Sequence, residues 1–290
     1  MKRILVVGGS GLLGKEIVAL LLNLKFEVYV LTRTVGKFPQ LAAMGATLVY
    51  GDLKDKKSLL SACQGMDAVI SSAHSMIGKG KYSSEKIDRL GQLDLVNAAK
   101  ATGVKYFSFI SVIGASKTHA LDFYRNKSLV EAHIIASGIE YNIIRGSAFM
   151  EFHIKEMMGK SILEKGKVTI LGKGINPSNF VSVNNVAQVV VLCLTNENKH
   201  NKSFDIGGPE NLSRLEIIEL YSTKIGKKIK VSHIPNWVLK SMAFVIKPFH
   251  SGIGRILILS DLADRTDQTF DSKPVMDEFQ LQASRVQDII

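Results

Sequence analysis

Cysteine, proline and tryptophan are all scarce in this sequence, and so are the patterns built from them. The two cysteines, Cys63 and Cys193, stand far apart with no C-x-x-C and no metal-ligand spacing. That excludes a disulfide framework or a zinc module and predicts reduced, structural thiols in a cytoplasmic chain. No apolar run reaches the roughly 18 residues of a membrane span. The longest, Trp237 to Leu259, is broken by Lys240, Lys247, His250 and Arg255. Helices over a pocket or a partner surface are expected there, with peripheral membrane contact as the alternative. After Met1-Lys2-Arg3, glycines end the apolar run too early for a signal peptide. Acidic residues are also short, 26 against 37 Lys and Arg, for a net charge of +11. Such an excess attracts anions of many kinds. The lysines are spread along the chain, however, with no basic helix, zinc knuckle or RNP-like strand, so no nucleic-acid partner is expected. The G-x-S-x-G elbow of a serine hydrolase is missing, and His153 with Glu156 makes no metal cluster.

What remains is an ordinary globular composition, 46% hydrophobic and 22% charged over 290 residues. That length suits one large or two small domains. Short apolar runs at 3–7, 27–31, 47–50, 68–71, 106–110 and 140–144 alternate with segments of three- and four-residue apolar spacing at 12–23, 57–62, 85–102 and 127–137. This order predicts an α/β fold, a Rossmann-type doubly wound parallel sheet. Beyond residue 145 the pattern loosens. The spacing predicts a helix over 149–165, strands at 168–171, 179–183 and 203–206, and helices over 186–194 and 212–225, the last capped by Asn211 or Ser213. Residues 1–150 are therefore expected to form the cofactor-binding core, with 179–207 returning to it. Residues 151–178 and 208–290 are expected to make a smaller, mostly helical substrate or lid region.

Directly after the first strand comes Gly8-Gly9-Ser10-Gly11-Leu12-Leu13-Gly14, a G-x-x-G-x-x-G turn that opens an amphipathic helix. Glycines there allow a tight turn, a close backbone approach to a pyrophosphate and close helix–sheet packing, while the helix directs free N–H groups at the phosphates. The second strand ends in Leu31-Thr32-Arg33. An NAD enzyme usually places an acid near this point for the ribose 2′-OH. Arg33, helped by Lys37, suits a 2′-phosphate instead, so NADP (NADPH) is expected rather than NAD. Asp52 and Leu53 follow the third strand, where Asp52 can accept from an adenine amino group. Ser72 and Ala73 follow the fourth, where small side chains let the backbone pass near a cofactor.

These residues carry a resemblance. The chain resembles the atypical short-chain dehydrogenase/reductases of the NmrA-like group, which also holds relatives of the complex I accessory subunit and isoflavone-type reductases. The matching stretches are G-G-S-G-L-L-G at 8–14, L-T-R at 31–33, G-D-L at 51–53, G-Q-L-D-L-V-N-A-A-K-A-T-G-V-K-Y-F at 91–107, I-S-V-I-G-A at 110–115 and K-S-L-V-E-A-H-I-I-A-S-G-I-E-Y-N-I-I-R at 127–145. The likeness covers roughly residues 1–225. It implies a Ser at position 111 and a Lys at position 127, with Lys127 holding the nicotinamide ribose. The family's tyrosine position falls on Phe123, which cannot transfer a proton, and Tyr124 beside it is the substitute candidate. The usual Arg-Pro-Gly is Arg145-Gly146-Ser147 here, and Gly146 and Ser147 are expected to edge the nicotinamide pocket. His74 is a further acid candidate; His119 and His153 have weaker claims.

Two functions follow. One is an NADPH-dependent oxidoreductase that reduces a small apolar carbonyl or activated alkene, using Ser111, Lys127 and Tyr124, under a cover around Trp237 and Phe244. The other, favoured by Phe123, is a catalytically silent nucleotide-binding protein that senses redox state or assists assembly.

Overall fold

Ile4 to Val7 are buried without interruption in the computed structural model, which describes residues 1–290. A run apolar on both faces belongs at the centre of a sheet covered on both sides. In chain order the elements are β1 (Arg3–Val7), α1 (Leu12–Asn23), β2 (Glu27–Thr32), α2 (Pro39–Ala43), β3 (Thr47–Tyr50), α3 (Lys56–Cys63), β4 (Ala68–Ser71), α4 (Gln92–Ala101), β5 (Tyr106–Val112), α5 (Asp122–Ser137) and β6 (Glu140–Gly146). They continue as β7 (Ala148–Phe149), α6 (Lys160–Lys165), β8 (Lys167–Leu171), β9 (Ser178–Val181), α7 (Val183–Thr195), β10 (Lys202–Ile206), β11 (Asn211–Leu212), α8 (Arg214–Ile225), β12 (Lys230–Ile234), α9 (Asn236–Ile246), α10 (Ser251–Ala263), α11 (Lys273–Phe279) and α12 (Val286–Ile289). Wider π-helical turns, Glu85–Gly91 and Glu151–Gly159, lead into α4 and α6.

Met1–Arg145 with Val186–Asp205 form one unit, and Gly146–Asn185 with Ile206–Ile290 form another. Residues 146–150, 179–185 and 206–207, expected with the core, fall in the second unit. The first unit carries a seven-stranded sheet in the order β10-β6-β5-β4-β1-β2-β3. β1 pairs in parallel with both β2 and β4, so the strand order reverses there. In such sheets ligands bind at the carboxyl ends of the strands beside this reversal. One face of the sheet packs Leu5, Val7, Phe107 and Phe109 against Leu59, Leu95, Val130 and Ile134, each buried apolar side chain contributing about 1.5–3 kcal/mol relative to exposure.

The second unit holds a three-stranded sheet, β11-β9-β7, and the parallel pair β12-β8. Its core gathers Met150, Ile154, Phe180, Ile217, Ile218 and Tyr221. The helix expected over 149–165 begins after Phe149, because Ala148 and Phe149 pair with Phe180 and Val181 as β7; it runs as the wide turns of Glu151–Gly159 and then α6. Leu212 likewise lies in a strand, and Ser213 starts α8 with a reciprocal capping box to Glu216. No helix is long and apolar enough to cross a membrane.

Candidate functional site

The glycine turn has the shape that its spacing requires. Gly8 has φ +91°, and a Cβ there would lie 2.6 Å from the Ala73 amide nitrogen. A Cβ on Gly14 would stand 2.1 Å from the Gly8 carbonyl oxygen. The Gly11 amide donates to that same carbonyl at 2.9 Å, which closes the turn. α1 then begins at Leu12 with Gly11 as its N-cap and no side chain accepting from its first amides. Ser10, Leu12 and Leu13 supply backbone to this uncapped end, where an anion can satisfy the free N–H groups. Ser72 and Ala73 press against the turn from the end of β4. Their loop is held by Gln92, which is fully buried, donates to the Ala73 carbonyl at 3.1 Å and accepts from the Ser71 hydroxyl at 2.8 Å.

At the ends of β2 and β3 the cations collect on one aromatic ring. The Arg33 guanidinium lies 5.1 Å from the Tyr82 ring centre, and the Lys54 ammonium 4.3 Å from it. Arg33 and Lys37 are both exposed. Neither has an acidic partner in the fold, so both are free to meet a phosphate. Asp52 is turned into its own loop: Oδ1 accepts from the Lys54 amide at 2.9 Å and Oδ2 pairs with the Lys54 ammonium at 3.4 Å. Leu53 is buried, and its carbonyl would lie 2.5 Å from a Cβ on Gly91.

α5 begins at Asp122, earlier than the apolar spacing indicates, because its first turns bury polar side chains. Asn126 and Lys127 are 4% and 3% exposed. The Lys127 ammonium donates to the Ile110 carbonyl at 2.8 Å and lies 4.5 Å from the Phe109 ring and 5.7 Å from the Phe123 ring. Burial lowers its pKa from the usual lysine value, partly opposed by Asp88 and Glu131. The His74 ring meets Phe123 edge-on at 6.2 Å. His74 keeps an exposed surface, but enclosure on its inner side and the charge of Lys127 lower its pKa, against the pull of Asp88. Phe123 therefore neighbours both the lysine and the histidine.

Asp88 and Glu131 were not singled out by the sequence reading. Asp88 is fully buried; Oδ1 accepts from the Ser75 amide at 2.8 Å, and Oδ2 has no hydrogen-bond partner. Burial raises its pKa, against the opposing charge of Lys127. An acid four residues before Gln92, on the face that buries Leu95 and Val96, was the available signal. Glu131 accepts from the Ser111 hydroxyl and takes two bonds from Arg145, at 3.0 and 2.7 Å. Arg145 also reaches Asp205 at 3.4 Å. The structure thus holds Ser111 in an ionic cluster and brings Lys127 together with His74 and Asp88.

Tyr124 stacks on His119 at 4.0 Å between ring centres, and burial raises its pKa. It makes no hydrogen bond to Lys127. In the second unit, Gly146 is buried and the Ser147 hydroxyl donates to Asn179 Oδ1 at 2.9 Å. His153 lies against Phe152 and Phe180.

The profile of the NmrA-like family matches residues 1–268. The photosystem II assembly factor Ycf39 of Guillardia theta is 32% identical over 232 residues, spanning 80% of this chain and 73% of that protein. Pinoresinol reductase 1 of Arabidopsis thaliana is 30% identical over 271 residues, 87% of this chain and 84% of that one. Among solved structures, the triphenylmethane reductase of Citrobacter sp., complexed with NADP(H), superposes with a TM-score of 0.81 at 20% identity, covering 99% of this chain and 98% of that chain. At that identity the likeness speaks to the fold alone.

Proposed function

Because the chain belongs to the NmrA-like family, we propose that it is an NADPH-dependent reductase acting on a small apolar carbonyl or activated alkene. The observation that carries this reading is the buried Lys127 ammonium, held by a single hydrogen bond beside the end of the sheet where the glycine turn lies. A structural lysine has little reason to be shut among Phe109, Phe123 and Asp88. A proton donor does.

The residues fit the cofactor. A Cβ would collide with the protein's own backbone at Gly8 and Gly14, so glycine there lets the turn close tightly at the start of α1. The uncapped start of α1 would take the pyrophosphate. Arg33, with Lys54 beside it on Tyr82, and Lys37 would take the 2′-phosphate and set NADPH above NADH. When bound, NADPH supplies the hydride. Lys127 holds the ribose and keeps a proton available for the oxygen or carbon of the substrate that receives it. Burial makes that ammonium a stronger acid than a surface lysine. Asp88 holds a counter-charge nearby, and the exposed edge of His74 gives the buried pair a route to solvent protons. Gln92 keeps the Ser72–Ala73 loop against the glycine turn.

Stopped-flow oxidation of NADPH over a panel of quinones, enones, ketones and aldehydes tests the proposal. The expected result is turnover of at least one class, preferred with NADPH. No turnover of any class with tight NADPH binding intact would overturn it. That outcome would favour a second reading, a nucleotide-binding assembly or sensing protein. Two observations support it: Phe123 stands at the tyrosine position, and Ser111 is committed to Glu131.

A further inference from the structure

Between Glu219 and Asp261 the chain has no acidic residue at all, while it carries six lysines and one arginine. Arg255 is buried, and all six lysines are exposed. All of α9 and most of α10 lie in this window; Asp261 and Asp264, at the end of α10, are both buried. The two helices pack as a hairpin. Leu239, Ala243 and Leu257 are buried between its helices, and Gly254 lets them close, since a Cβ there would lie 2.9 Å from the Lys247 Cα. The opposite face is bare. Trp237 is 72%, Phe244 84%, Val245 62% and Phe249 82% exposed. Trp237 and Phe244 are seven residues apart on α9, so they share a face about 10 Å long. Lys240 lies between them on that side, and Lys247 stands beside the tip that carries Phe249.

We propose that this hairpin is a docking surface for an anionic phospholipid bilayer. Single exposed apolar residues are ordinary, but four large ones on one hairpin mark an interaction site. Aromatic rings set among lysines, with no exposed acid on either helix, is the composition of a segment that lies in a charged lipid interface. At 11 and 13 residues, α9 and α10 are too short to span the hydrocarbon core, which takes about 20 residues. They rest in the headgroup plane. A second copy of the chain is a poor occupant, because the face offers no acid to meet its own lysines and pairing would juxtapose like charges. The proposal does not rest on the reductase reading: Lys127, Asp88, His74 and Arg33 lie outside the hairpin, and Trp237 and Phe244, expected over a substrate, are largely exposed.

Trp237 is the only tryptophan in the chain, so the full-length protein reports on this surface without a label. Titration with vesicles of phosphatidylcholine and phosphatidylglycerol in equal parts should shift its emission to the blue, and brominated acyl chains should quench it. Vesicles of phosphatidylcholine alone should bind at least tenfold more weakly, and Lys240→Glu with Lys247→Glu should cost about the same factor or more. Phe244→Ser with Phe249→Ser should abolish binding while leaving the melting temperature and NADPH affinity unchanged. Unchanged emission with the mixed vesicles would overturn the proposal. So would binding that the lysine and phenylalanine variants do not affect. Concentration-dependent dimerisation that Phe244→Ser removes, without vesicle binding, would assign the face to a second copy instead.

Discussion

In the first unit Lys127 and Asp88 are charged groups shut inside protein, whereas in the second Trp237, Phe244 and Phe249 are large aromatic side chains left in water. Each arrangement departs from ordinary burial, in opposite directions. Each also carries more information than any correctly placed leucine. A buried lysine near an acid costs desolvation that hydrophobic residues of the same volume would not. An exposed aromatic cluster forgoes burial that the core could have used. Neither departure helps the fold, so both point to something the protein meets. The difference lies in what that partner must supply: charge and hydrogen-bond acceptors at Lys127, apolar cover and negative charge at the hairpin.

The sharpest way to break this comparison is to make the buried position ordinary. Lys127→Met should lower reductive turnover by about 10²–10⁴, the usual contribution of a positioned acid. In the unaltered protein, kcat should fall as pH rises through the pKa of Lys127, with a midpoint below the ordinary 10.5 because burial lowers it. A midpoint at or above that value, or a Met variant that keeps most of its turnover, would leave Lys127 a structural residue.

Next in size is the phosphate end of the same unit. Arg33→Ala should weaken NADPH binding about 10–100-fold, the range for a charge-assisted pair with phosphate, and leave NADH binding nearly unchanged. Calorimetry with both nucleotides checks it; equal losses would place Arg33 outside the 2′-phosphate contact. If Tyr82 organises the cations as the geometry indicates, Lys54→Ala should produce a smaller loss of the same selectivity.

The first unit was legible because its signals are local. The strand–glycine–helix order at 3–23 needs no distant residue to be read, and the helix over 12–23 has the predicted bounds. The neighbourhood of Lys127 was less legible because burial is made by tertiary packing. Asn126 and Lys127 broke the apolar period at the start of α5, and only the fold shows that they face inward. Asp88 and Glu131 went unmarked because their partners, Ser75 and Arg145, come from other elements. In the second unit, β7 and β11 are two-residue strands fixed by pairing with β9. No two-residue stretch can announce that. The hairpin lay between: the interrupted apolar run marked it, but exposure had to be seen.

A smaller effect sharpens the second unit's half of the comparison, because that unit holds a half-buried histidine packed against two phenylalanines. Burial, with the charge of Arg214 beside it, lowers the His153 pKa from 6.5 to about 4. The folded state therefore holds His153 neutral while the unfolded chain takes up a proton below 6.5. Its folded pKa is the depressed one, so stability is full above pH 6.5 and is lost as pH falls toward 4. By pH 5 the loss should be about 2 kcal/mol. Urea melts at pH 7 and pH 5 measure it, and His153→Gln should flatten the difference. An unchanged slope in that variant would place the acid sensitivity elsewhere.

The smallest effect belongs to the hairpin, and its smallness is what matters. Phe244 is 84% exposed, so Phe244→Ala removes almost no buried surface and should change unfolding free energy by no more than about 0.5 kcal/mol. Leu239, wholly buried on the other face of the same helix, serves as the destabilising control when cut to alanine. If the two substitutions cost alike in chemical denaturation, Phe244 is packed in solution and the exposed face does not exist. If only Leu239 matters, a large aromatic side chain stands where it contributes nothing to the fold, and its place on α9 is explained by what docks there.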